Sequence, residues 1–264
     1  IETNEISVKK SIDRGSLKHC IYGETGYISR HLLHRNNLFF FMCLYSDFFA
    51  LRRNAMLILE HGSKILFTGD SVTDCGRDRS NCCHLGGGYP FLIASRLGAD
   101  LAEMELQFFN TGIGGNRISD LKARWVEDCI ALKPDIVSIL IGVNDTWHSL
   151  SGKEVIPPEV FRKDYREIIE KTLDALPSVQ LMLMEPFALP TDEQRASFRP
   201  DLDLKIHVVR ELAREFADAF LPLDGLFAEA SCRAPMTHWL GDGVHPTANG
   251  HSLIADAWID TVCV

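Results

Sequence analysis

Five strand-length apolar runs recur along the chain, Lys64 to Thr68, Leu106 to Asn110, Asp135 to Ile141, Val179 to Glu185 and Phe220 to Asp224, with longer segments of helical spacing between them. In those intervals apolar residues return every three or four positions, as in Phe161, Tyr165, Ile168, Ile169 and Leu176, or Val208, Val209, Leu212, Phe216 and Phe220. Strands and helices therefore alternate. A run that is apolar throughout, such as Ile136 to Ile141, suits a strand covered on both faces. Strands separated by helices join through right-handed crossovers into a parallel sheet. The pattern predicts an α/β fold, a three-layer α/β/α sandwich around a five-stranded parallel sheet, closed by a final helix over about Ala248 to Val262.

The regular pattern opens at Met56. Residues 1 to 55 carry a net charge of +3 and the remainder −12, and the first segment keeps no sustained period while clustering Phe39, Phe40, Phe41, Phe48 and Phe49 beside Arg52 and Arg53. We therefore expect two parts: a 1–55 N-terminal extension, non-native or disordered, with Met56 as the natural start, and a single catalytic domain over 56–264. A signal peptide built on Leu38 to Tyr45 is disfavoured because Asp47 intrudes and no small-x-small cleavage site follows. A membrane span fails because Asp47 and Arg52 cut the run well short of roughly 20 residues. No linker, repeat or low-complexity tract divides the second part.

The overall charge of −9 argues against nucleic acid or an anionic membrane as the main partner and favours a small neutral substrate. The eight cysteines show neither CxxC pairs nor zinc-ligand spacing, so no metal is expected and reduced thiols in a cytoplasmic protein are the default.

In open parallel sheets the working site lies beyond the carboxyl ends of the strands. The loops there read Gly69-Asp70-Ser71-Val72-Thr73-Asp74, Asn110 to Arg117, Gly142 to Trp147, and, before the last helix, Gly241 to Pro246. Ser71 leaves the first strand at a tight turn into a helix, which presents its hydroxyl and its backbone N–H. A serine hydroxyl needs a base, and that base needs a third group to fix its tautomer. Asp242 and His245, three apart around Gly243, supply both. Read alone, Ser71-x-x-Asp74 is more simply a helix capping box. Acyl transfer also needs donors for the developing oxyanion; the backbone at Gly114-Gly115, the Asn144 amide and the Ser71 N–H are candidates. Singly, the glycines read as a turn and Asn144-Asp145 as a cap.

In order and context, Gly69-Asp70-Ser71, Gly115, Asn144 and Asp242-x-x-His245 resemble the SGNH (GDSL) hydrolase superfamily. The resemblance implies its flavodoxin-like fold, with Ser71 as nucleophile, His245 as general base, Asp242 as orienting acid, and Gly115 and Asn144 in the oxyanion hole, without a cofactor. The flanking residues, ILFTGDSVTDCGR, GIGGNRISDLKARW, VSILIGVNDTW and VHPTANGH, are similar to bacterial acetylxylan esterases and carbohydrate deacetylases. Such relatives often carry Trp immediately before the triad aspartate; here Gly241 stands there and Trp239 lies two residues earlier. The resemblance implies a serine esterase acting on acetyl esters of carbohydrates such as xylo-oligosaccharides, and extends to self-association as a homo-oligomer.

Asp70, Tyr89, Arg117, Trp147 and Trp239 are the candidates for substrate contact. The aromatic rings are expected to line the alcohol side and Arg117 to reach sugar hydroxyls, against plain packing for the rings and an ion pair with Asp120 for Arg117. A lysophospholipase or thioesterase would use the same triad and differ only in acyl chain length. A non-catalytic flavodoxin-like binding module would need a phosphate-gripping loop that the Gly69–Arg77 segment does not supply.

Overall fold

The computed structural model describes residues 56–152 and 155–263; the expected extension over 1–55 lies outside the described residues. Seven strands are present among the described residues: β1 (Leu57–Ile58), β2 (Lys64–Gly69), β3 (Gln107–Asn110), β4 (Ile136–Leu140), β5 (Gln180–Met184), β6 (Ala219–Leu221) and β7 (Val262–Cys263). The helices that matter below are α1 (Ser71–Asp74), α2 (Tyr89–Asp100), α3 (Ile118–Ala123), α4 (Val143–Leu150), α5 (Pro158–Ala175), α6 (Arg199–Phe216), α7 (Leu223–Ser231) and α8 (Ala248–Ile259), with shorter turns between.

β2 to β6 form the one five-stranded parallel sheet that the alternating pattern predicts, and its strand order is β3-β2-β4-β5-β6. Side chains along each strand divide between two apolar layers. Ile65, Phe67, Met182 and Met184 pack on one side with Ile93 and Leu97 of α2 and Ile254 and Trp258 of α8. Leu66, Val137, Leu181 and Leu183 pack on the other with Leu121 of α3, Phe161 and Ile168 of α5, and Leu212 of α6. Burial on both faces is why these strands read as unbroken apolar runs, and each such side chain contributes about 1.5–3 kcal/mol. The polar exception inside β4, Ser138, accepts a hydrogen bond from Trp258 Nε1 at 3.0 Å.

Two boundaries differ from expectation by more than one residue. The last sheet strand spans Ala219–Leu221 rather than Phe220 to Asp224, because Pro222 has no N–H to donate and α7 starts at Leu223. The final helix ends at Ile259, since Val262 and Cys263 leave it to pair in parallel with Leu57 and Ile58 in a separate two-stranded sheet. Among the described residues, no helix is long and apolar enough to cross a membrane.

Because β2 and β4 are neighbours while β3 lies outside β2, the chain reverses direction across the sheet between β2 and β4, and a crevice opens at their carboxyl ends. Gly69 at the end of β2 comes so close to β4 that an added Cβ would lie 2.0 Å from the Leu140 carbonyl oxygen. Only glycine fits this crossing point, one residue before Asp70.

Candidate active site

Ser71 opens α1 at the mouth of that crevice. Its helix is capped by Asp70, whose Oδ1 accepts the Val72 N–H at 3.0 Å. The capping-box reading of Ser71-x-x-Asp74 is thereby replaced: the cap lies one residue earlier and the Ser71 hydroxyl is left for other work. Asp70 is only 1% exposed, so it caps rather than meets substrate, contrary to expectation. Burial, partly offset by the Val72 hydrogen bond and by His245, pushes its carboxyl up to about 7.

The loop before α8 delivers the partner groups. His245 Nε2 lies 3.0 Å from Ser71 Oγ, and His245 Nδ1 lies 2.8 Å from Asp242 Oδ2. Asp242 Oδ1 accepts the backbone N–H groups of His245 at 2.7 Å and Val244 at 3.0 Å. Partial burial alone would raise the Asp242 carboxyl, but these bonds from His245 and Val244 outweigh it and hold it down at about 2. Asp242 is thus a carboxylate at any ordinary pH, and it holds the imidazole with Nδ1 protonated and Nε2 free to accept. A hydroxyl, an imidazole and a carboxylate in this relay can carry out base-assisted nucleophilic attack.

The loop after β3 is fixed beside Ser71. Asp74 is buried and accepts the Gly114 N–H at 2.8 Å, fixing the loop after β3 beside the start of α1. Gly114 is close enough that a Cβ there would lie 3.7 Å from Ser71 Cβ. The Asn144 Nδ2 donates to the Asn116 carbonyl at 3.1 Å, which ties the loops after β3 and β4 together and leaves its second N–H available. Gly115 sits between these two anchored points. The loops bearing Ser71, Gly115, Asn144 and His245 therefore converge.

The remaining candidates divide. Trp147 stands beside His245, the two ring centroids 6.4 Å apart. Tyr89 does not: it is fully buried, edge-on to Phe67, with its hydroxyl 2.9 Å from Thr73 Oγ1. Arg117 donates to Asp120 at 3.0 Å, the ion pair rather than the sugar contact. Trp239 packs against the core beneath Arg233, and its carbonyl receives the Thr247 N–H at 2.9 Å.

Two side chains escaped the sequence reading. Arg195 is buried and donates through Nε to the Asp242 carbonyl at 2.8 Å. His251 lies behind α1, accepting the Tyr89 N–H on Nδ1 at 3.1 Å with Nε2 3.4 Å from Cys75 Sγ. Such an imidazole must be neutral, with its proton on Nε2. Burial, and secondarily the charge of His245, depresses it to about 4 from 6.5.

The unfolded chain protonates this histidine below about 6.5 while the native state resists until about 4, so its contribution is complete above 6.5 and is lost as pH falls through 4. Asp70 works in the opposite sense over nearly the same window, since its raised native value favours the folded state as pH falls from 7 to 4. Substituting His251→Gln, which can both accept and donate, removes only the first effect. We expect the variant to gain on wild type by up to about 3 kcal/mol between pH 7 and pH 4, read as thermal midpoints. Parallel midpoint curves would contradict the assignment.

The sequence profile of the GDSL-like Lipase/Acylhydrolase family matches residues 67–253. An acetylxylan esterase from Geobacillus stearothermophilus is 36% identical over 204 residues, covering 75% of this chain and 93% of its own. A solved structure of that enzyme superposes with a TM-score of 0.69 at 35% identity, covering 77% of this chain and 95% of the other. Solved variants of it called catalytic mutants replace a serine, an aspartate and a histidine, the last two three positions apart. A GDSL-lipase-like protein from Parabacteroides merdae superposes with a TM-score of 0.73 at 39% identity, covering 77% of this chain and 96% of its own.

Proposed function

We propose that this chain, which belongs to the GDSL-like lipase/acylhydrolase family and is a carboxylic ester hydrolase, removes acetyl groups from carbohydrates such as xylo-oligosaccharides through Ser71, His245 and Asp242. The observation that carries the reading is the unbroken relay from Ser71 Oγ through the His245 ring to Asp242. The same three residue types, with the same spacing between the acid and the histidine, are those replaced in the catalytic mutants of the acetylxylan esterase.

In the proposed cycle His245 Nε2 takes the Ser71 proton as the hydroxyl attacks the ester carbonyl. The carbonyl oxygen becomes an oxyanion facing the Ser71 and Gly115 N–H groups and the Asn144 amide. His245 then returns the proton to the leaving sugar oxygen, and the acetyl group stays on Ser71. Water, deprotonated by the same imidazole, attacks the acyl-enzyme and releases acetate and the free serine. Asp242 stays a carboxylate throughout and stabilises the imidazolium.

The acetyl preference rests on the relatives that act on acetylated xylan or xylo-oligosaccharides. On the alcohol side, Trp147 beside His245 offers a ring face for a sugar. Gly241 precedes Asp242 where the related esterase carries a tryptophan, so the sugar rests on fewer aromatic walls here. Two substrate series test the reading. Incubation with acetylated xylo-oligosaccharides is expected to release acetate, and p-nitrophenyl esters from acetate to palmitate are expected to turn over fastest at acetate. A maximum at long chains would overturn the acetyl assignment, and brisk aryl acetate hydrolysis without release from sugars would overturn the carbohydrate assignment.

A further inference from the structure

We propose that Arg195 is a positioning residue for the hydrolytic reaction, locking the Asp242–His245 loop and Trp147 into one body so that His245 stays in register with Ser71. The inference rests on the triad reading above.

Three independent contacts define the lock. Arg195 Nε donates to the Asp242 main-chain carbonyl at 2.8 Å, and Nη2 lies 3.7 Å from the Asp242 carboxylate Oδ2, the same oxygen that faces the His245 ring. The guanidinium carbon lies over Trp147, 4.0 Å from the ring centroid, with the Phe198 ring centroid 5.2 Å away. The aliphatic stem packs against Gly243, where an added Cβ would come within 2.9 Å of Arg195 Cγ and 2.6 Å of the Leu189 carbonyl oxygen. Gly243 has φ +84, so both its conformation and its neighbours demand glycine between the acid and the base.

Arg195 is itself held. Asp192 accepts its backbone N–H at 2.7 Å, and Leu189 N donates to the Gly243 carbonyl at 2.8 Å. The segment from Leu189 to Phe198 is thus a bracket grasping the 242–245 loop from below. His245 and Asp242 are both substantially exposed, at 46% and 43% of the side chain, while the loop backbone is held by Gly241 N donating to the His245 carbonyl at 2.9 Å and by the buried Val244 side chain. Beside these restraints Arg195, at 8% side-chain exposure, is a buried side chain that reaches Asp242 itself.

Stability alone does not account for this residue. Its Nη1 is buried with no hydrogen-bond partner among the described residues, and a buried, incompletely paired guanidinium is costly compared with an apolar side chain of similar volume. What the cation adds is a two-point grip on Asp242, by Nε on the main chain and Nη2 on the side chain. A lysine cannot reproduce that grip with one point charge. Because the grip acts on His245 through Asp242, its loss displaces the base relative to Ser71 without removing any group that touches the ester.

The experiment uses the full chain with Arg195→Ala, Arg195→Met and Arg195→Lys, measured on p-nitrophenyl acetate with thermal midpoints alongside. Misplacing a reacting group by about 1 Å costs up to about 10²-fold, so kcat is expected to fall by roughly 10–100-fold in Arg195→Ala with KM changed less than about twofold. Arg195→Met, which keeps the stem on Gly243 and Trp147, is expected to hold its thermal midpoint near wild type yet lose kcat similarly. Arg195→Lys recovers only part of the rate. Added guanidinium chloride at concentrations well below unfolding is expected to restore kcat in Arg195→Ala but not in Arg195→Met, where the cavity is filled. Should Arg195→Ala not fold, the comparison of Met with Lys decides alone. Wild-type kcat in a folded Arg195→Met protein would overturn the inference. Asp242→Ala is the parallel control: if it retains full activity the triad reading has failed, whereas loss in Asp242→Ala with no loss in Arg195→Met sinks only the role of Arg195.

Discussion

Replacing Ser71 by alanine is expected to lower kcat on a short acyl ester by roughly 10⁴–10⁶-fold, and His245→Ala to do nearly the same. The size follows from the relay: Ser71 Oγ has one base within reach, His245 Nε2 at 3.0 Å, and each is useless to the reaction without the other. The double variant is therefore expected to be no slower than either single one, because the second substitution removes a group already idle. Residual turnover should remain above the uncatalysed rate, supplied by oxyanion donors on separate loops. Folding should be untouched in both, since Ser71 lies at the crevice mouth and His245 is largely exposed. Steady-state kinetics on the two single variants and the double variant check this, and additive losses in the double variant would contradict a shared mechanism.

Asp242→Asn is expected to cost about 10³–10⁴-fold in kcat with little change in KM, even though the substitution alters hardly any volume. The geometry fixes which way the new amide must face. Oδ1 accepts two backbone N–H groups, from Val244 and His245, so the amide oxygen of an asparagine has to stay there. Its NH2 group is then presented to His245 Nδ1, where the carboxylate Oδ2 now stands at 2.8 Å. Nδ1 becomes the acceptor, the proton moves to Nε2, and the nitrogen facing Ser71 can no longer take a proton. The imidazolium that forms during attack loses its counter-charge as well. Kinetics on Asp242→Asn beside wild type, with a thermal midpoint to confirm folding, measure the effect; near wild-type kcat would mean that Asp242 does not set the tautomer.

Much of this was readable in the linear chain, and the failures share a cause. β4 announced itself because both its faces are covered, which leaves Ile136 to Leu140 uniformly apolar apart from Ser138. β1 and β7 left no such trace: two residues each carry no period, and their partners lie at opposite ends of the described chain. Ser71 and Asn144 stood out because each stands at the start of the helix that follows a parallel strand, whereas Asp242 and His245, set between two helices, were found only from their spacing before the last helix.

Tyr89 shows the limit of that reasoning. An aromatic residue at a helix start looks the same in sequence whether it lines a crevice or plugs the layer beneath it, and here the ring packs edge-on to Phe67, as Trp258 does against the same phenyl group. Asp70 was misjudged for a related reason, since adjacency to Ser71 in sequence put its carboxyl on the buried side of the turn. Arg195 was invisible because its task is defined by packing against a loop 47 residues away, which no local period records.

In the proposed reaction the Ser71 hydroxyl is made nucleophilic by His245. Inactivation with diisopropyl fluorophosphate, followed by peptide mass spectrometry, tests it most directly. Stoichiometric modification of the peptide holding Ser71, abolished in folded His245→Ala protein, is the predicted result. A protein that resists the reagent while hydrolysing esters, or one modified at another serine with matching loss of activity, would contradict it.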